Sequence, residues 1–451
     1  MEAKTRPKSE LDFRTGMTFR WAFILLLSVS SLQSTESLSV TGTVGINYGQ
    51  IANNLPSPSE VVELLQSSNL TNVRIYDANP AILNALRNTS VEIVVSLGNE
   101  YVATMSARSD KARQWVKKNV AAYIPAGTNI TGVLVGNEVY SGNDTVLKEN
   151  LMGALKNIHS ALVSLGLDKS VKVSTAHSFE VFGSSFPPSS CVFSDKTVAY
   201  MKQLLDFLSA THATFLVNVY PYFAYKGDTT NVPLNYALFR PSDGVVDSKN
   251  NLHYDNLFYA QIDAAYAALA ALGYGKVEVR VSETGWPSKG DDDEVGATPD
   301  NAKTYNGNLL ERLRKKEGTP LQPNVSVQAF IFALFNENMK PGPTSERNYG
   351  LFKPDGTETY DLGLKGLKRI VSSLSPPPSV STGNGSKSTP TTTITPPSTT
   401  TPTMATDAST NSTNSSSDSS SAKGMHSLVF VSFYLQVLAL SSLVSVVILE
   451  H

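Results

Sequence analysis

From residue 42 to residue 374, short runs rich in apolar residues alternate with longer stretches whose apolar positions lie three or four apart. The first pattern predicts strands and the second predicts helices. Strand-like runs are Val44–Tyr48, Asn72–Tyr76, Val91–Leu97, Gly132–Gly136, Val171–Thr175, Phe215–Val219, Val277–Ser282 and Val325–Phe335. A helical pattern follows each, at 58–68, 80–87, 109–122, 145–164, 197–211, 255–272, 299–316 and 360–372. Eight strand-then-helix units in about 330 residues predict an α/β fold, a parallel sheet closed into a (β/α)8 TIM barrel. An open doubly wound sheet is the alternative, but no Gly-rich phosphate loop follows the first strand.

Both ends of the chain depart from that alternation. Lys4, Arg6, Lys8, Arg14 and Arg20 precede the apolar run Trp21–Val29, which is too short to span a bilayer. Residues 1–38 are read as a secretory signal peptide, and 42–374 as the folded domain. Residues 375–422 are mostly Ser, Thr and Pro, a composition that cannot bury enough apolar surface to fold, so a disordered stalk is expected. Ser427 to Leu449 is then apolar and uncharged. A transmembrane helix is one reading of it. No Lys or Arg follows to mark a cytoplasmic side, and small residues plus a short polar spacer precede it. Residues 423–451 are therefore read as a glycosylphosphatidylinositol (GPI) attachment signal, with the anchor at one of the serines around Ser420. The expected location is the extracellular face of the plasma membrane and the cell wall, plasmodesmata included.

Composition narrows the chemistry. Of 451 residues 41% are hydrophobic and 17% charged, and the net charge of −2 leaves no electrostatic footprint for nucleic acid. With one cysteine, Cys191, the chain has no disulfide framework and no cysteine-based metal site. The six histidines show no ligand spacing, so neither metal nor cofactor is expected. N-x-S/T sequons at Asn69, Asn88, Asn129, Asn143, Asn324, Asn384, Asn411 and Asn414 agree with a secreted route, and a monomer is expected.

A barrel gathers its chemistry at the C-terminal ends of its strands. Those ends read Asn47-Tyr48-Gly49, Tyr76-Asp77, Gly136-Asn137-Glu138, Asn218-Val219-Tyr220-Pro221-Tyr222, Glu283 with Trp286 just beyond, and Phe335-Asn336-Glu337-Asn338. Two carboxylates, Glu138 and Glu283, come from the fourth and seventh strands, on facing sides of the mouth. Paired carboxylates among Asn, Tyr and Trp suit glycoside hydrolysis. One must hold a proton for the leaving oxygen, and the other must stay ionised to attack or to activate water.

These stretches resemble the plant family 17 glycoside hydrolases, the endo-β-1,3-glucanases. The resemblance rests on Val44-Gly45-Ile46-Asn47-Tyr48-Gly49 with Asn53-Asn54-Leu55-Pro56, on Val73-Arg74-Ile75-Tyr76-Asp77, and on Val135-Gly136-Asn137-Glu138-Val139. Val281 to Ser288 and Phe335-Asn336-Glu337-Asn338 through Glu346 to Phe352 complete it, so that it covers roughly 42–372. It implies retaining endo-hydrolysis of callose-type β-1,3-glucan, with Glu138 as acid/base and Glu283 as nucleophile, ~5–5.5 Å apart.

It also implies that Asn137 hydrogen-bonds the sugar or the nucleophile, that Tyr76 stands near the nucleophile, and that Glu337, Lys340 and Glu346 form a charged cluster beside the cleft. A structural salt-bridge network is the other reading of that cluster. Tyr220, Tyr222 and Trp286 are expected to bind sugar, with a satellite core under the long loop 221–253 as the alternative for its aromatic residues. Asp291-Asp292-Asp293-Glu294 reads as a solvated loop. Rival functions are hydrolysis of mixed-linkage 1,3;1,4-β-glucan, glucan transglycosylation, and non-catalytic glucan binding. The single cysteine excludes the cysteine-rich carbohydrate-binding module that many anchored relatives carry after the barrel.

Overall fold

Each β-branched run closes against the next. The computed structural model describes residues 44–364 together with 366 and 367. Its parallel strands are β1 (Val44–Tyr48), β2 (Asn72–Ile75), β3 (Glu92–Leu97), β4 (Asn129–Asn137), β5 (Lys172–His177), β6 (Phe215–Asn218), β7 (Val279–Thr284) and β8 (Ala329–Ile331). They hydrogen-bond in chain order, and β8 returns to β1 with Val44 beside Ala329 and Ile46 beside Ile331. The fold is the expected (β/α)8 barrel.

Side chains fill the barrel. Leu134, Ala176 and Leu216, with Val94, form one interior layer from four adjacent strands. Phe330 fills the side next to β1, where a Cβ on Gly45 would meet its ring at 2.4 Å, so only glycine fits there.

The outer layer is α1 (Pro58–Ser67), α2 (Pro80–Ala85), α3 (Asn99–Ala107), α4 (Ser109–Val116), α5 (Thr145–Ser164), α6 (Val198–Thr211), α7 (Pro221–Gly227), α8 (Leu234–Ala237), α9 (Leu257–Ala271) and α10 (Pro299–Arg314). Ser57 and Glu60 form a reciprocal capping box at the start of α1, and Asn79, Asp144, Asn256 and Thr298 cap α2, α5, α9 and α10. Each cap satisfies an amide that the first turn leaves unpaired, and so sets where a rim loop stops.

Three predicted elements differ, and α3 was not predicted. The helical pattern at 109–122 is α4 followed by a π turn at Lys117–Ala121. α3, absent from the pattern reading, buries only Val102 and Met105, too few apolar positions to show a period. The eighth strand covers Ala329–Ile331 rather than Val325–Phe335. Beyond it the chain is held by single bonds, Phe332 N–H to the Thr284 carbonyl at 2.7 Å and Leu334 N–H to that of Asn47 at 2.8 Å. No helix forms within 360–364. There Glu358 accepts from the amides of Leu362 (3.0 Å) and Leu364 (2.9 Å), bending the chain so that Leu364 is buried. The rest of that predicted helix lies outside the described residues. So do the signal peptide, the stalk, the anchor signal with Ser420, and the sequons at Asn384, Asn411 and Asn414.

Candidate active site

Both rim carboxylates follow a slip in strand register. On β7 the pairing with β6 shifts between Val281 and Glu283, which sets Glu283 opposite Asn218. Successive residues of a regular strand face opposite ways. Here Ser282 bonds Asn218 through its hydroxyl (2.7 Å) while Glu283, next in the chain, reaches Arg74 (2.9 Å), so neighbouring side chains share the barrel interior. An extra residue in the ladder permits that. On β4 the pairing with β5 shifts between Leu134 and Asn137, Gly136 takes φ +69°, and Glu138 itself takes φ +53°. A left-handed backbone is costly for any residue with a Cβ, and such outliers gather where function needs a side chain aimed.

Glu283 is buried among donors. Arg74, from β2, gives it an ion pair at 2.9 Å. Tyr76 donates to the same carboxylate oxygen at 2.8 Å and Tyr220 to the other at 3.1 Å. Burial first, and then the charge of Glu283, hold both phenols well above their usual range, so they remain protonated donors. An ionised carboxylate only accepts, and every neighbour here donates.

Glu138 has the opposite surroundings. It is partly buried, and one donor reaches it, the Asn218 amide at 2.8 Å. Burial, and next the charge of Glu283, push its pKa up to about 7, against the Asn218 bond and Arg74, which lower it. The two sites are also cross-braced. Arg74 ties Glu283 to the Asn137 side chain (2.7 Å), the residue before Glu138, and Asn218 ties Glu138 to Ser282, the residue before Glu283. A carboxyl group protonated near neutrality, facing one held by cationic and neutral donors, can supply acid and nucleophile.

Other expected site residues sort differently. Asn137 and Tyr76 lie at the carboxylates, Asn137 through Arg74. Tyr220 is present as a hydrogen-bond donor, its ring against Phe223 and Tyr349. Tyr222 and Trp286 are corrections: both are fully buried, packed edge-to-face at 5.2 Å, and the Trp286 indole donates to the Gly296 carbonyl at 2.8 Å. They build a floor under the rim and have no free face for sugar. Tyr236 and Phe239 are likewise buried, as a satellite core requires, whereas Phe223 stays 39% exposed.

Lys340 pairs with Glu346 at 2.9 Å and lies over the Phe332 ring at 4.1 Å, while Glu337 is buried and accepts from the Ile51 amide at 2.8 Å. In the acidic run Asp291, Asp292 and Asp293 are exposed, as a solvated loop requires, and Glu294 alone is a correction. Glu294 is buried, pairing with Lys226 (3.2 Å) and accepting from the Ser345 amide (2.9 Å), and Asp291 accepts from the Thr344 amide (2.9 Å). These bonds lock the loop after β7 to the loop after β8. Cys191 is buried and unpaired, and burial pushes its thiol up, away from reactivity.

Arg74 and Asn218 carry the cross-bracing, yet the sequence assigned neither a role. A trace of Arg74 was there: a guanidinium between Val73 and Ile75 inside a strand must be buried against an anion.

The model of glycosyl hydrolases family 17 matches residues 44–364. Glucan endo-1,3-beta-glucosidase 11 of Arabidopsis thaliana is 52% identical over 344 residues, 76% of this chain and 79% of that one. Glucan endo-1,3-beta-glucosidase 14 of the same plant is 49% identical over 348 residues, covering 77% and 87%. Among solved structures, a beta-1,3-glucanase and allergen of Cryptomeria japonica pollen superposes with a TM-score of 0.68 at 40% identity, covering 71% of this chain and 99% of that one.

Proposed function

The chain belongs to glycosyl hydrolases family 17, and on that premise we propose that Glu138 and Glu283 are the two carboxyl groups of its reaction. The protein is a glycoside hydrolase that cleaves internal β-1,3-glucosidic bonds of β-1,3-glucan with retention of configuration. The observation that carries the role assignment is the contrast between the two environments: a proton-holding Glu138, and a Glu283 enclosed by Arg74, Tyr76 and Tyr220.

In the first step Glu138 gives its proton to the glycosidic oxygen as the bond to the anomeric carbon breaks. A Glu283 oxygen attacks that carbon from the other face, giving a glycosyl-enzyme. The tyrosine hydroxyls and Arg74 keep the attacking group oriented beforehand, which removes entropy from the barrier. In the second step Glu138, now ionised, takes a proton from water, whose oxygen displaces Glu283. Tyr76 and Tyr220 belong to this machinery as donors to the nucleophile. The charged group on the eighth loop anchors the cleft wall: Lys340 and Glu346 neutralise each other, and Glu337 holds the loop after β1.

Alanine in place of either carboxyl group tests the roles. Glu283→Ala should abolish laminarin hydrolysis with the far-UV circular dichroism unchanged. Glu138→Ala should regain turnover of an aryl laminarioligosaccharide when azide is added, since such a leaving group needs no proton and azide needs no base. Near-normal laminarin turnover by Glu283→Ala would sink the assignment. The oligosaccharide lengths formed from laminarin distinguish hydrolysis from chain transfer.

The secretory reading adds further proposals. The Ser/Thr/Pro composition of 375–422 and the uncharged apolar segment of 427–449 support a stalk and a GPI anchor near Ser420, at the outer face of the plasma membrane. Asn69, Asn88, Asn129 and Asn324 are exposed where the chain enters β2, β3, β4 and β8, on the barrel end away from the cleft. Glycans there would leave the groove clear. Asn143 is exposed on the catalytic rim between β4 and α5.

A further inference from the structure

We infer that Asn99, at the start of α3, is a positioning residue for the acid/base: its side-chain amide holds both the N–H and the carbonyl of Asn137 and so fixes the turn that aims Glu138. The inference rests on the reading of Glu138 as the proton donor.

The ladder between β3 and β4 is regular up to Leu97 beside Val135. There β3 ends, at Gly98 and the first turn of α3. β4 continues for two more residues with no strand on that side, and Glu138 follows at once. Asn99 takes over the ladder. Its Oδ1 accepts from the Asn137 N–H at 2.8 Å, and its Nδ2 donates to the Asn137 carbonyl at 3.1 Å. On the opposite side β5 grips the same turn through main chain, the Glu138 N–H donating to the Ala176 carbonyl at 2.8 Å.

The turn needs both grips. Gly136 and Glu138 both have positive φ, and for a glutamate that conformation persists only where its surroundings dictate it. The fit around Asn99 is close, since a Cβ on Gly136 would stand 3.0 Å from its Oδ1. A backbone that relaxes here swings the Glu138 carboxyl away from Asn218 and from the glycosidic oxygen. Asn99 is itself exposed on the rim, so its loss removes two hydrogen bonds without opening a cavity.

The test compares laminarin with 2,4-dinitrophenyl β-laminaribioside in the presence of azide, which needs neither proton donor nor base. For Asn99→Ala, kcat on laminarin should fall roughly 10- to 100-fold, the range of a misplaced catalytic group. KM should stay within about twofold, and the fall on the aryl substrate should be under about threefold. Asn99→Asp keeps the acceptor for the Asn137 N–H and loses the donor. It should be intermediate in kcat and move the alkaline limb of the pH profile upward, because a new carboxylate near Glu138 favours its protonated form. An unchanged kcat in both variants, an equal loss on both substrates, or a raised KM with unchanged kcat overturns the inference, the last by showing a substrate contact. Should Asn99→Ala not fold, the pH limb and substrate ratio of Asn99→Asp decide it. Glu138→Gln in the same assays is the separate check: if that variant loses equally on both substrates, the acid assignment itself fails, whatever Asn99 does.

Discussion

Glu138 and Glu283 differ in what surrounds them, and pH should read that difference. Glu138 keeps its proton to about pH 7 in the folded chain, against an ordinary value of 4.5. Turnover of laminarin should therefore fall as pH rises through about 7. Stability has the same sign. Between pH 4.5 and about 7 the folded state holds a proton that the unfolded state has lost, so stability declines as pH rises through that window. The full shift is worth at most about 3 kcal/mol, less for a partly exposed group. Glu138→Gln cannot ionise, so its stability relative to the parent should rise by about 1–3 kcal/mol from pH 5 to pH 8 in urea titrations. A flat difference would refute this. Both carboxyl groups were legible in the sequence because each ends an apolar strand. Their partners were harder to see: nothing local to Arg74 or Asn218 says which strand lies across the barrel, since Arg74 meets Glu283 across 209 residues of chain and Asn218 meets Glu138 across 80.

Elements recovered by periodicity are those that bury a continuous face, such as α5 with Leu151, Leu155, Ile158 and Leu162. The loops were misread wherever polar residues turn inward. Asp291 to Glu294 reads as solvated because charge runs usually are, yet Glu294 is the buried peg that joins two rim loops. Trp286 and Tyr222 read as sugar-binding because aromatics near a cleft often are, yet they pack on each other beneath it. Glu294→Ala would leave the Ser345 amide and the Lys226 ammonium without their acceptor. The cost should be about 2–4 kcal/mol, seen as a melting temperature lower by roughly 4–10 °C. A change below about 1 °C would show the peg to be dispensable.

Residues 44–364 were legible as a barrel because eight strand-then-helix units repeat across them. If the anchor and glycans are as proposed, phosphatidylinositol-specific phospholipase C should release active enzyme from plant membranes. Peptide maps of the released protein should then carry glycans at Asn69, Asn88, Asn129 or Asn324. Retention after phospholipase treatment would point to a spanning helix instead. Finally, the two ladder slips on β4 and β7 mean that the reaction is encoded by parity as well as by residue type. Deleting one residue from β7 ahead of Ser282 would leave eight staves and an unbroken hydrophobic interior. It would also restore strict alternation, keeping Glu283 inward but turning Ser282 outward and away from Asn218, the residue that donates to Glu138. The loss of a single codon can thus cut the tie between two carboxyl groups while both still stand in the mouth.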